Sequence, residues 1–340
     1  MRIGFDAYTI EHRRLSVEAT LEFANDHRLD GVQFLDPSVI APDLSHERLE
    51  EVRLLACQKG LTLEVGLPSP NPYRRPRTEA RPLTAQDLAG ELIPHVTAAA
   101  QLGCHHARVY IGDRHDRFRT DVRWSDQLEA TQSVVKRLEP ALRELGVALA
   151  IETHADATST EIRRFLDVFE PEIIGVTLDT GNLPMRLEDP LGALEILADR
   201  VLAVHVKDAV LAFTPRGLCW QARPVGSGIL PMPDLLSLLH RSNPSLMLSI
   251  ELHPRTYDLP IFDKEWLAFF PDLHPESLAA VVRLAAKCER RFAEGSLVRP
   301  ELVESIPWAD RDLDWLASSV GYLRALVAML GRFEEPGSKR

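Results

Sequence analysis

Four short stretches carry side chains able to hold a cation: Glu152 in "AIETHAD", Asp179 in "LDTGN", His205 in "VHVKD" and Glu251 in "IELHP". Each closes or follows an apolar run. Three carboxylates and one imidazole form a donor set for a hard or borderline divalent ion: Mn2+, Mg2+, Co2+ or Zn2+. Crowded together without a cation, three carboxylates repel one another and raise their own pKa values. Each residue alone has a plainer reading, as a solvated strand end or a satisfied core group. Four in register on successive strands favour one metal centre.

Their neighbours extend the pattern. His154 lies two residues past Glu152, so on an extended strand its side chain points the same way. It reads either as a contact to a substrate hydroxyl or carboxylate, or as a surface histidine. Asn182 follows Asp179 by three positions and is expected against substrate or around the ligands. Lys207 shares the parity of His205 and is placed to neutralise a substrate anion or a developing enediolate. Asp208 is expected to orient Lys207, His205 or the loop after them. Arg223, ahead of the Gly-rich turn in "ARPVGSGIL", reads as a substrate arginine or a solvated one. Arg108 and Tyr110 are weaker candidates.

These residues need a scaffold that brings the ends of several strands together. Strand-like runs fall at residues 2–6, 30–35, 61–66, 106–112, 147–152, 173–179, 201–208 and 245–252. Helical spacing falls between them, at 17–27, 46–60, 84–102, 125–145, 159–169, 190–199, 232–242 and 275–292. The strands are short and almost wholly apolar, as parallel strands buried on both faces should be. Strict alternation of eight strands and eight helices predicts an α/β fold, the (β/α)8 TIM barrel, whose site lies at the C-terminal strand ends. The runner-up, a doubly wound open sheet, lacks a GxGxxG after the first strand. The barrel is expected over residues 1–292, with an additional C-terminal helical segment over 293–340 that packs on it or on a partner. The stretch after the seventh strand reads as an irregular insertion.

Composition narrows the function. The 340-residue chain is 45% hydrophobic and carries a net charge of −11, which argues against duplex nucleic acid as a partner. Its four cysteines, Cys57, Cys104, Cys219 and Cys288, form no CxxC, which fits a reducing cytoplasm and no zinc–thiolate site. Neither a signal peptide nor an apolar run of about 18 residues is evident, so no membrane partner is expected. The basic loop "NPYRRPR" (71–77) reads as a lid carrying Tyr73, as solvated, or as a subunit contact. The aromatic segment 254–271 is expected to wall the pocket or to form a contact in a homo-oligomer.

With these motifs in this order, the chain resembles the xylose-isomerase-like TIM-barrel superfamily, in its sugar phosphate isomerase/epimerase branch, over about residues 1–292. The resemblance implies that Glu152, Asp179, His205 and Glu251 bind one divalent metal. It also implies that Glu152 and Glu251 act as acid and base on a small carbohydrate. In such chemistry a metal-polarised hydroxyketone loses a proton to give an enediolate, and a carboxylate returns it. Return to the other face epimerises; return to the neighbouring carbon isomerises. The expected function is therefore isomerase or epimerase on a keto sugar, sugar acid or inositol derivative. The alternative is a lyase, a decarboxylase of a 3-oxo sugar acid or a dehydratase, using the same site. A third is a sugar-binding barrel without activity, which intact ligands disfavour. The pattern departs from the ketose 3-epimerases, which carry a histidine where Asn182 stands and a glutamate where Thr158 stands. Their substrate contacts therefore do not transfer. The related zinc abasic-site endonucleases need more histidines than are present.

Overall fold

The computed structural model describes residues 1–74 and 83–332. It contains strands β1 (Arg2–Asp6), β2 (Gly31–Phe34), β3 (Thr62–Gly66), β4 (His106–Val109), β5 (Ala148–Glu152), β6 (Ile174–Asp179), β7 (Val201–Val206), β8 (Asp208–Thr214), β9 (Gly217–Arg223), β10 (Met247–Ile250) and β11 (Thr256–Leu259). Eight of them close into a parallel barrel in the order β1-β10-β7-β6-β5-β4-β3-β2. Helices separate the barrel strands, so the fold is the (β/α)8 TIM barrel. Every residue of β5 and β6 is buried, which explains their unbroken apolar sequences.

Register delivers the site. Asp179 on β6 pairs with His205 on β7, and His205 pairs with Ser249 on β10. Glu152 on β5 pairs with Thr177 on β6. Closure brings β1 and β2 to the same rim, where Asp6 pairs with Gln33. The two helices that follow β5 and β6 start on side-chain caps. Thr158 and Glu161 form a reciprocal capping box at the helix Ser159–Leu166, and Asp189 accepts from Gly192 N at the helix Pro190–Leu197.

The stretch after β7 is ordered, against the expectation of an irregular insertion. β8 and β9 form an antiparallel hairpin, and β11 adds to β9 to make a three-stranded sheet. The apolar character of β7 resumes in β8 after only Lys207 and Asp208, with no glycine or proline between, so periodicity alone does not divide the two. Asp208 opens β8 rather than closing β7. Its carboxylate accepts Ala209 N (2.8 Å) and Leu230 N (3.0 Å) on Oδ1, and Gly228 N (2.9 Å) and Gly226 N (3.2 Å) on Oδ2. It therefore organises the loop 224–230.

The C-terminal segment lies on the barrel. Arg13 donates to both Asp312 oxygens, from Nε and Nη2, at 2.6 Å each, and Trp308 Nε1 donates to Thr9 O at 3.2 Å. The helix Asp312–Arg332 buries Leu316, Val320, Leu323 and Leu326. Tyr322 rests on Gly226, where a Cβ would collide with the ring. Against the sequence expectation, Asp312–Gly331 is long and apolar enough to cross a membrane by length and composition, with a mean hydropathy of 1.2.

Candidate metal centre

Glu152, Asp179, His205 and Glu251 converge at the C-terminal rim, with their candidate donor atoms all within 4.8 Å of one another. His205 Nδ1 lies 3.6 Å from Glu152 Oε1 and 3.3 Å from Glu251 Oε2. That nitrogen is buried and has no hydrogen-bond partner. The opposite nitrogen, Nε2, is hydrogen-bonded to Gln33 Oε1. A carbonyl oxygen accepts only from N–H, so Gln33 sets the Nε2–H tautomer and turns the Nδ1 lone pair into the carboxylate cage. An otherwise orphaned imidazole nitrogen facing three carboxylates fits a divalent cation bound by these four residues.

The surrounding contacts hold the donors in place. Asp179 Oδ2 accepts Asn182 Nδ2 at 2.6 Å, and Oδ1 accepts Gly181 N at 2.9 Å. Lys207 Nζ reaches Asp179 Oδ2 at 2.8 Å and Glu251 Oε2 at 2.5 Å. Its stem passes under the "DTGN" turn because residue 181 is glycine; a Cβ there would collide with Lys207 Cγ. Trp220 Nε1 pins that turn by donating to Gly181 O at 2.8 Å. Arg108 Nη1 donates to Glu152 Oε2 at 3.2 Å.

The charges follow from these contacts. Burial alone would raise Glu152, but His154 and Arg108 outweigh it and pull the carboxyl down to about 2. Glu251 is likewise opposed by burial and held well below its usual range by Lys207 and His205. Burial pushes Asp179 up to about 7 even beside Lys207. Burial would lower His205, yet Glu251 and Glu152 raise it well above its ordinary value. The cage is thus strongly cation-seeking: a proton on His205 answers the same field that a metal would.

Above the cage opens a cleft of about 330 Å3. Glu152 and Glu251 line it, as do His154, Asn182 and Lys207, whereas Asp179 and His205 lie beneath its floor. His154 Nδ1 contacts Gly112 O at 3.0 Å, and its ring stands 5.3 Å from that of Tyr110. Arg108 and Tyr110 also reach the cleft. Arg223 does not. Pairing between β8 and β9 sets Arg223 opposite Asp208, and Arg223 Nη2 donates to Val298 O at 2.7 Å. The expected substrate arginine is instead a buried tie to the C-terminal segment. Asp208 also stays outside the cleft, holding its loop.

Asp6, Gln33, Tyr8, Arg114 and His253 at this site escaped the sequence reading. Asp6 ends β1, and the strand-end test would have reached it had it begun at the first strand; Gln33 lies inside β2, one residue before its end. Tyr8, in the 3-10 helix Ala7–Arg13, and His253, in the loop after β10, lie beyond the strand ends; His253 sits between Tyr8, at 6.3 Å, and Trp220, at 5.8 Å, measured between ring centres. From the basic loop, Arg74 lines the cleft with its guanidinium 4.8 Å above the Tyr110 ring. Residues 75–77 of that loop lie outside the described residues. From the aromatic segment, Arg255 and Tyr257 wall the cleft.

Known proteins resemble this chain at several levels. A family profile described as xylose isomerase-like TIM barrel matches residues 21–277. The uncharacterised protein YihM of Escherichia coli K12 is 28% identical over 144 residues, 42% of each chain. A 3-oxo-isoapionate decarboxylase of Pectobacterium atrosepticum is 24% identical over 239 residues, 68% of this chain and 78% of that protein. An inosose dehydratase of Lacticaseibacillus casei is 30% identical over 86 residues, 24% of this chain and 29% of the dehydratase. The chain therefore spans less than half the length of two of these three relatives. Among solved structures, the D-psicose 3-epimerase of Clostridium cellulolyticum H10 superposes with a TM-score of 0.57 at 14% identity, over 85% of this chain and 99% of that one. The IolI protein with a bound zinc atom superposes with a TM-score of 0.55 at 14% identity, over 88% of this chain and 100% of that one.

Proposed function

The chain belongs to the xylose isomerase-like TIM barrel family, and on that premise we propose that it is a divalent-metal-dependent sugar isomerase or epimerase. The carrying observation is the division of the four candidate ligands. All four donor groups meet within 4.8 Å, but only Glu152 and Glu251 also line the cleft. Asp179 and His205 would serve the metal alone; Glu152 and Glu251 would also reach substrate.

A divalent ion held by Glu152, Asp179, His205 and Glu251 would supply Lewis-acid polarisation of a substrate carbonyl, making the proton on the adjacent carbon more acidic. The chain's own groups do the rest. Glu152, ionised across the neutral range, accepts the proton from the carbon beside the carbonyl. Lys207 Nζ, at 2.5 Å from Glu251 Oε2, is the nearest proton source to that carboxylate, so the returning proton is shared by Lys207 and Glu251. Asn182 and Arg108 keep Asp179 and Glu152 oriented. His154 contacts a substrate hydroxyl or carboxylate from the β5 side. A small carbohydrate is the expected partner.

The lyase reading draws support from the decarboxylase relative, which aligns over 68% of this chain. The same site would hold a 3-oxo sugar acid and release CO2. Elemental analysis of the purified protein, followed by a screen of keto sugars and oxo acids in D2O, separates the readings. Deuterium incorporation with retained carbon skeleton indicates isomerase or epimerase chemistry; CO2 release or loss of water indicates a lyase. Full turnover in Glu152→Gln and Glu251→Gln would refute the acid–base assignment. Absence of any bound divalent ion, with no response to added metal, would refute the metal centre.

A further inference from the structure

The chain as a whole is acidic, with 39 Lys and Arg against 50 Asp and Glu. The cleft reverses that balance: five Lys and Arg line it against four carboxylates. Three of the five cations are already committed. Arg74 Nη1 pairs with Asp116 at 2.5 Å, Arg108 with Glu152 at 3.2 Å, and Lys207 with Asp179 and Glu251. The other two, Arg114 and Arg255, have no carboxylate partner among the described residues.

The guanidinium of Arg114 and the backbone of Arg255 are nonetheless positioned. Arg114 stands over the Tyr257 ring, 4.7 Å from its centre. Stacking on an aromatic face fixes the plane of a guanidinium while leaving its N–H edge free. Arg255 sits at φ 110°, a left-handed conformation that costs a non-glycine residue on the order of 1–3 kcal/mol and persists only where the surroundings enforce it. The enforcement is visible. Arg255 N donates to Glu304 Oε2 at 3.2 Å, and the preceding carbonyl, Pro254 O, contacts His253 Nδ1 at 3.0 Å. Glu304 is in turn held by Gln221 Nε2 at 2.7 Å and Arg311 Nη2 at 3.0 Å. The C-terminal segment thus braces a strained backbone that presents Arg255 to the same cleft as Arg114.

We infer that Arg114 and Arg255 are specificity-determining residues that receive an anionic group, a carboxylate or a phosphate, on the substrate end remote from the candidate metal ligands. This rests on the proposed function, in that the other end of the substrate meets the cage of Glu152, Asp179, His205 and Glu251. Two arginines without internal counter-ions, at the mouth of a cleft in an acidic protein, exclude neither source of the charge. They do predict that neutral sugars are the poorer ligands. The anion also explains why the loop strain is retained: removing Arg255 from the mouth would leave Arg114 alone to neutralise it.

The test uses the full chain loaded with Mn2+ and titration calorimetry with three probes of matched carbon length: erythronate, erythritol 4-phosphate and neutral erythritol. The expected result is that at least one anion binds about tenfold or more tightly than erythritol, as charge-assisted bonds to guanidinium require. Arg114→Gln and Arg255→Gln should each remove about tenfold of that preference, and the double variant should abolish it with erythritol binding unchanged. Arg114→Lys should restore part of it. A preference for erythronate assigns a carboxylate; one for erythritol 4-phosphate assigns a phosphate. Absence of any anion preference, or a preference that survives in the double variant because the anion binds the metal, would overturn the inference. Metal content measured on the same samples separates the two readings. Mn2+ uptake without arginine-dependent preference refutes this inference alone, whereas failure to take up Mn2+ refutes the metal centre whatever the arginines do.

Discussion

Gln33 offers the sharpest test of the metal centre, because it touches no substrate and acts only through His205. Its Oε1 is the acceptor for His205 Nε2, and both side chains are buried. Gln33→Leu keeps the approximate volume and removes the acceptor. Two costs follow. The His205 Nε2–H loses its partner, a penalty of about 1–3 kcal/mol for a buried donor. The imidazole is also freed to place its proton on Nδ1, the nitrogen that faces the cage. Loss of such an outer contact typically lowers metal affinity by about 10–100-fold, or roughly 1.4–2.7 kcal/mol. Asp6 Oδ2 lies 3.6 Å from the same nitrogen and can move in as a substitute acceptor. The lower end, about tenfold, is therefore expected. The assay is Mn2+ titration at constant pH on wild type, Gln33→Leu and Gln33→Glu, with thermal melts of each without metal. Gln33→Glu retains an acceptor and should bind at least as tightly as wild type. Wild-type Mn2+ affinity in Gln33→Leu, with an unchanged metal-free melt, would refute the tautomer argument.

Three further outcomes are expected. His205 is raised well above its ordinary 6.5 by Glu251 and Glu152 against the opposing effect of burial, so metal must displace a proton there. Metal affinity should rise by about tenfold per pH unit while His205 is still protonated and level off at its folded-state pKa; the metal-free protein, whose imidazolium stabilisation is complete below the ordinary 6.5, should lose stability as pH rises through the raised value, both followed by calorimetry. Gly181→Ala should abolish turnover while leaving most of the fold intact by circular dichroism, because the added Cβ displaces the Lys207 stem. Arg223→Met should leave kcat/KM for the eventual substrate unchanged and lower stability by about 1–2 kcal/mol in urea unfolding, since Arg223 ties β9 to Val298 rather than meeting substrate; a selective loss of activity would restore it to the site.

The division between what could be read in the chain and what could not has local causes. Strands β5, β6, β7 and β10 are buried on both faces, so their apolar runs end abruptly where the barrel rim begins. The first charged residue at each end, Glu152, Asp179 and Glu251, marks that rim. His205 interrupts β7 as the one polar side chain of an otherwise apolar strand, and the same contrast exposes it. Parallel closure then dictates that these ends share one face. The hairpin β8–β9 gave no such contrast, because its first strand continues the apolar character of β7 across Lys207.

Sequence by itself therefore determined the eight βα units and the rim where the four candidate ligands meet, because strand burial and alternation are local properties written into residue order. Tertiary structure alone decided which groups face those ligands. Gln33 comes to His205 across 172 positions of chain. Glu304 braces Arg255 from the C-terminal segment, and Arg223 turns away from the cleft to Val298. Contacts between elements distant in sequence depend on register and closure, and neither leaves a periodic trace in the residues that make them.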